Sequence, residues 1–126
     1  MVKLKVIGSV LGKKDKERCE AWERIFKRSL EKRMPNSKFV CVSRKCMFGC
    51  FIMLFAKQEH EQFITNIHTK KLATGASGFA ENKGSTTLRF DFMDTGFFFL
   101  NCHLTSGQKK WQDRMDDLSK VYKETA

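Results

Sequence analysis

The stretch 86-TTLRFDFMDTGFFFLNCHLTSG-107 decides the fold. Thr86, Leu88, Phe90 and Phe92 alternate with Thr87, Arg89 and Asp91, so they share one face of a strand whose side chains point to opposite sides with a period of two. Asp94-Thr95-Gly96 offers a turn, and Phe97 to Leu104 returns as a second strand, which makes the segment a β-hairpin. Thr105-Ser106-Gly107 then leads into an amphipathic helix with Trp111, Met115, Leu118, Val121 and Tyr122 on one stripe.

Upstream of the hairpin, Ile64 to Ala73 predicts a weaker strand, and Thr74-Gly75-Ala76-Ser77-Gly78 is a loop by composition. Lys57 to Phe63 is polar and suits a helical turn. Met47 to Phe55 is continuously apolar, the pattern of a strand covered on both faces, although periodicity alone equally allows a helix there, and Lys38 to Ser43 alternates as a strand should. From Asp15 to Met34, the residues Cys19, Trp22, Ile25, Phe26 and Leu30 recur at three- and four-residue steps, one face of a helix that Pro35-Asn36 ends. Lys3 to Val10 alternates loosely as a short strand, followed by a loop at Gly12-Lys13-Lys14-Asp15. The order of helix, mostly antiparallel strands and helix predicts an α/β (α+β) architecture with helices packed on sheet faces.

The chain has 126 residues and a formal net charge of +10. The charge is uneven: residues 1–45 carry 14 Lys/Arg against 5 Asp/Glu, and residues 46–126 carry 10 against 9. A basic block of this kind suits a phosphate-rich partner such as an inositol lipid, an anionic membrane or a nucleic acid, and equally a solvated helix face. Five cysteines without CxxC or framework spacing point to a reducing compartment. The longest apolar run, Cys46 to Ala56, falls well short of the ~20 residues that span a bilayer, and the lysine-interrupted Met1 to Val10 does not read as a signal peptide.

For chemistry, Asn101 and His103 stand two apart on a strand, so they share a face at its C-terminal end, just before a loop that opens a helix. Ligands of α/β sheets tend to lie beyond that end. A histidine there can hold an anionic oxygen, although spacing alone favours one hydrogen-bonded in a core corner. Lys83, in Glu81-Asn82-Lys83-Gly84, can meet a phosphate as a point charge, or simply face water. Lys70-Lys71 and Arg44-Lys45 read as solvated. His60 and His68 fit neither a zinc motif nor a triad, and Walker A and GxGxxG patterns are absent.

Taken as a block, Val42 to Tyr122 resembles the inositol polyphosphate 5-phosphatases. The resemblance runs through Phe48-Gly49 to Phe55 and Lys57-Gln58-Glu59-His60. It continues through Thr74-Gly75, Gly78, Asn82-Lys83-Gly84, Leu88-Arg89-Phe90 and Phe92 to Asn101-Cys102-His103-Leu104-Thr105-Ser106-Gly107 and Arg114. It implies a partial four-layer α-β-β-α sandwich of the endonuclease/exonuclease/phosphatase type, with residues 1–126 as one partial catalytic domain. The implied activity is Mg²⁺-dependent hydrolysis of a phosphomonoester on the inositol ring of inositol phosphates or phosphoinositides. His103 would meet the scissile phosphate, Asn101 would support the strand end, and Asn82 and Lys83 would line the phosphate pocket.

Departures from the family pattern shape the expectation. Val6-Ile7-Gly8 resembles the strand entering the Gln-Glu motif, but Ser9-Val10-Leu11 follows, so the metal-binding Glu is missing; Glu81 and Ser85 stand where small residues are usual. The Gly-Asp-x-Asn and Asp-His motifs are not found. No tight Mg²⁺ site and little or no activity are therefore expected of this chain alone. A non-catalytic module that binds phosphoinositides or anionic membrane through the basic helix 15–34 is the alternative, with a nuclease of the same superfamily a third reading that the 5-phosphatase motifs disfavour. The expected location is cytoplasmic, peripheral at membranes.

Overall fold

A computed structural model describes the backbone of residues 2–47, 50–75 and 80–125, and the side chains of 15–47, 50–75 and 82–125. The elements run α1 (Val2–Arg33), β1 (Phe39–Met47), β2 (Cys50–Lys57), a 3₁₀ helix (Gln58–Phe63), β3 (Ile64–Gly75), β4 (Ala80–Phe92), β5 (Thr95–His103) and α2 (Trp111–Thr125). β1 and β2 form one antiparallel sheet, and β3, β4 and β5 form a second in that order.

The two sheets lie against each other. The Asn101 side chain of β5 donates to the Phe51 carbonyl of β2 at 2.9 Å, and Thr86 of β4 approaches the Cys50 sulfur of β2 at 4.0 Å. α1 covers the outside of the first sheet, where the Trp22 and Phe26 rings stand 6.1 and 6.3 Å from Phe51. α2 covers the outside of the second, where Lys70 of β3 pairs with the Glu124 carboxylate at 3.2 Å. The layers are thus α-β-β-α, a mixed architecture of helices and antiparallel strands as the pattern predicts. Leu88 and Phe90 of β4, Phe39 and Met47 of β1, Cys50 of β2, Cys19 of α1 and Val121 of α2 are the buried apolar groups. β4 is central to its sheet and loses water from both faces, which is why even Ser85, Thr86 and Thr87 are buried.

Several boundaries differ from the sequence reading. Lys3 to Val10 and the Gly12–Asp15 segment are helical, part of α1. A helix satisfies its backbone groups within the segment, without needing a neighbouring strand. The strand expected over Met47 to Phe55 begins later, since Met47 ends β1 and β2 runs Cys50–Lys57. Thr74 and Gly75 belong to β3, while Ala76, Ser77 and Gly78 lie outside the described residues. The hairpin closes at Phe92↔Thr95, so its turn is Met93-Asp94, with Met93 in a left-handed conformation (φ 52°). On α1 only Cys19 of the predicted apolar face is buried; Trp22, Ile25 and Phe26 are exposed, because the two-stranded sheet beneath covers a single flank of the helix.

One member of each basic pair read as solvated is anchored instead. Arg44 ion-pairs with Glu20 (3.4 Å) and Glu23 of α1, fixing the helix across β1, and Lys70 holds the end of α2. Cys19 of α1 and Cys46 of β1 stand as a pair, their Cα atoms 6.4 Å apart, which runs against the unpaired cysteines expected of a reducing compartment. Separated by 27 residues, they carry no spacing signature that would have announced a pair.

Candidate phosphate-binding site

The site is built by strand register. β4 and β5 pair antiparallel with Gly84 opposite His103 and Thr86 opposite Asn101, so the end of β5 lies beside the start of β4. Gly84 is where β4 presses hardest on β3. Its φ is +144°, and a Cβ added there would collide with the Leu72 carbonyl oxygen and sit 2.9 Å from the carbonyl carbon. Only glycine permits that approach. Next to it, Lys83 places its ammonium 2.7 Å from Nε2 of His103, across 20 residues of sequence.

An ammonium can only donate, so in this contact Nε2 is the acceptor and the ring proton belongs on Nδ1. Nδ1 is buried and has no hydrogen-bond partner among the described residues. A buried donor left without an acceptor is costly, and such a group calls for one that binding can supply. Lys83 and His103 together therefore present cationic and N–H donor capacity, and the Nδ1 donor has no acceptor among the described residues. This is the chemistry of an anion site.

The other predicted residues are placed differently. Asn101 lies on β5 two residues from His103, but its amide is spent on the Phe51 carbonyl, where it ties the two sheets together. Asn82 is exposed beside Lys83. His60 leans toward Phe92 at the far end of β4, and His68 lies on β3 opposite Arg89, so neither joins His103.

Below the site, the Thr105-Ser106-Gly107 loop is fastened by α2. The buried Asp117 carboxylate accepts the Thr105 backbone N–H at 3.0 Å and its hydroxyl at 2.6 Å, and Arg114 donates to the Gly107 carbonyl at 2.6 Å. Gly84 supports the site from the ladder position opposite His103, and Asp117 supports it through the Thr105 loop. Sequence reasoning passed over Asp117; its signal is an acid twelve residues after Thr105, on the side of α2 turned inward. Cys102, next to His103, has its thiol pushed up by burial and then by nearby Cys50, and burial likewise raises Cys50 against a smaller opposing hydrogen bond from Thr86. Raised thiols stay protonated near neutral pH and are poor nucleophiles, so the site is not built for thiol chemistry.

A hard divalent cation needs oxygen ligands. Among the described residues no group of three or more His, Cys, Asp or Glu side chains is placed to hold a metal ion. Lys83 and His103 offer a positive charge and nitrogens, so the described residues do not by themselves fit Mg²⁺.

The profile of endonuclease/exonuclease/phosphatase family 2 matches residues 4–126, nearly the whole chain. The chain belongs to that family. Within it, sequence and fold place the chain with inositol polyphosphate 5-phosphatase domains. Human phosphatidylinositol 4,5-bisphosphate 5-phosphatase A is 31% identical over 120 residues, covering 94% of this chain and 12% of the relative. Human phosphatidylinositol 3,4,5-trisphosphate 5-phosphatase 1 is 36% identical over 89 residues, covering 71% and 7%. Mouse type II inositol 1,4,5-trisphosphate 5-phosphatase is 29% identical, covering 82% and 10%. The solved inositol polyphosphate 5-phosphatase domain of spsynaptojanin, in complex with inositol (1,4)-bisphosphate and calcium ion, superimposes with a TM-score of 0.71 at 29% identity, covering 79% of this family member and 29% of that chain. This phosphatase-family chain thus spans about a tenth of the length of the curated relatives it matches.

Proposed function

We propose that this chain supplies the phosphate-facing wall of an inositol polyphosphate 5-phosphatase, acting on a phosphomonoester of an inositol phosphate or phosphoinositide. The carrying observation is the 2.7 Å contact between Lys83 and His103, with the imidazole's other nitrogen buried and without a partner among the described residues. Phosphoryl transfer asks the protein mainly for positioning and for stabilisation of charge on the phosphoryl oxygens. Here Lys83 brings a positive charge that draws a phosphate to the end of β5, and His103 is a donor fixed by its strand. Preorganised donors of this type lower the cost of charge that builds during transfer. Asn101 keeps the strand end in place by its bond to Phe51, and Asn82 stands at the solvent side to meet a ring hydroxyl or second phosphate. The Mg²⁺ that the family resemblance implies would need oxygen ligands from elsewhere, and no step of this reading passes through it.

The test is titration calorimetry with inositol 1,4,5-trisphosphate at low salt. Each of K83A and H103A is expected to weaken binding by roughly tenfold or more, the worth of a charge-assisted hydrogen bond. Equal affinity in both variants and the parent would contradict the assignment.

A peripheral, cytoplasmic setting is part of the same proposal. α1 exposes Trp22, Ile25 and Phe26 alongside Arg24, Arg28, Lys32 and Arg33, an aromatic and basic surface suited to an anionic bilayer. No helix among the described residues is long and apolar enough to cross a membrane.

A further inference from the structure

Cys19 and Cys46 stand where α1 meets β1, and neither takes part in the Lys83–His103 contact. Their Cα atoms are 6.4 Å apart, inside the span of about 4.4–6.8 Å that a disulfide bridges. An open cleft flanks the pair on each side. One, of about 190 Å³, has an apolar wall of Trp22, Met47 and Phe51 with the Cys50 thiol. The other, of about 210 Å³, is basic, with Lys16, Lys45 and Lys71 lining it beside both cysteines. Arg44 borders this second cleft with its charge matched by Glu20 and Glu23, and Asp15, the acid on its wall, lies 3.9 Å from Arg18. Three lysines therefore surround two sulfurs, an environment that favours the thiolate and draws an anionic partner. Access to the sulfurs differs: Cys19 is 4% exposed, whereas Cys46 is half-buried in the cleft wall. The other three thiols compete poorly, since burial pushes Cys41, Cys50 and Cys102 up and keeps them protonated near neutral pH. Where a cell keeps thiols reduced, a pair placed to bond is a transient, redox-sensing one rather than a permanent staple.

We propose that Cys19 and Cys46 form a reversible thiol–disulfide exchange site, whose partner is a small anionic thiol seated among Lys16, Lys45 and Lys71. The site goes beyond the phosphatase reading and does not depend on it. In the opening direction the partner's thiolate attacks the Cys46 sulfur, the more accessible of the two. The Cys19–Cys46 bond breaks, Cys19 leaves as a thiolate, and a mixed disulfide forms on Cys46. A second partner thiolate then attacks the partner's own sulfur in that mixed disulfide. It releases the Cys46 thiolate and a disulfide of two partner molecules, so two electrons pass to the protein and its two thiolates take up protons from water. The reverse sequence closes the pair at the expense of the partner's disulfide. Closure ties α1 to β1 across 27 residues. In the open form α1 keeps its Arg44 ion pairs with Glu20 and Glu23 and the ring contacts of Trp22 and Phe26 with Phe51 at 6.1 and 6.3 Å. A link that restricts the unfolded chain raises the melting midpoint, here by roughly 10 °C.

The experiment equilibrates the full chain with glutathione and glutathione disulfide at varied ratios, neutral pH and low salt. An alkylating reagent under denaturing conditions then quenches exchange, and peptide mass spectrometry maps the cysteines. The expected result is a Cys19–Cys46 cross-link that forms and opens as the ratio changes, with Cys41, Cys50 and Cys102 alkylated throughout. The melting midpoint should follow the cross-linked fraction. C19S should accumulate glutathione on Cys46, and C46S should carry roughly tenfold less on the buried Cys19. Replacing Lys16 and Lys45 together by Ala should slow opening by glutathione roughly fivefold or more, while opening by neutral 2-mercaptoethanol keeps its rate. A variant that merely loosened the fold would change both rates, so the neutral thiol separates charge from structure. No Cys19–Cys46 cross-link at any ratio, a cross-link through Cys50 instead, a bond that excess glutathione leaves closed, or an equal effect of the lysine changes on both thiols would each overturn the proposal.

Discussion

Gly84 is the residue on which the site's geometry turns. Its positive φ and its contact with the Leu72 carbonyl leave no room for a side chain, so G84A must push β4 away from β3. That change is expected to lower unfolding stability by about 2–4 kcal/mol in denaturant titration, a size reserved for backbone strain or core disruption. It should also weaken inositol phosphate binding, because Lys83 is its neighbour. An unchanged denaturation midpoint would show that β4 does not rely on the close approach. The sequence displayed Asn82-Lys83-Gly84 and Asn101-Cys102-His103 plainly. What it could not display is that register puts Gly84 opposite His103, which is what brings Lys83 and the imidazole together across 20 residues. Asn101 was legible as a strand-end residue, but its partner, a backbone carbonyl 50 residues away, was not.

At the scale of elements, the β4–β5 hairpin and α2 were legible because their periods are clean. β4 alternates from Thr86 to Phe92, and the stacked Phe90, Phe97 and Phe99 rings, with centroids 5.3 and 6.0 Å from Phe90, hold the hairpin along one face. α1 was legible only in its second half. Its first residues carry both a loose alternation and lysines, and pairing partners rather than local pattern decide between strand and helix there. On α2 the apolar stripe misled: Trp111 and Tyr122 are exposed, and the inward side is led by Val121 and the carboxylate of Asp117. Asp117 gives α2 its fixed distance from the Thr105 loop. D117A removes the acceptor of two hydrogen bonds to Thr105 and is expected to cost about 1–3 kcal/mol in thermal or denaturant unfolding. D117N, which keeps one oxygen acceptor, should recover part of that loss. Indistinguishable stability for D117A and the parent would show that the loop is held by other contacts.

Across the whole molecule, charge is divided unevenly. The basic excess lies in α1 and its flanks, on the far side of the first sheet from α2. Pelleting with vesicles containing phosphatidylinositol 4,5-bisphosphate should therefore show binding that falls steeply between low and physiological salt. Replacing Arg28, Lys32 and Arg33 together by Ala should weaken it by roughly tenfold or more, at about 1 kcal/mol per basic residue near the surface. Salt-insensitive pelleting, or no loss in the triple variant, would remove α1 as a membrane contact. The layered fold also explains how a site can form from little sequence: two sheets hold β5 between β4 and β2, and the loop to α2 is fastened from below.

The central claim is that His103 and Lys83 form one anion-binding pair. The most direct measurement is ¹⁵N NMR of the His103 ring during titration with inositol (1,4)-bisphosphate. The account predicts a free state with the proton on Nδ1 and Nε2 accepting from Lys83, followed by saturable shifts of the ring nitrogens that K83A largely abolishes. A His103 ring whose nitrogens do not move as the ligand saturates, while other residues do, would contradict it.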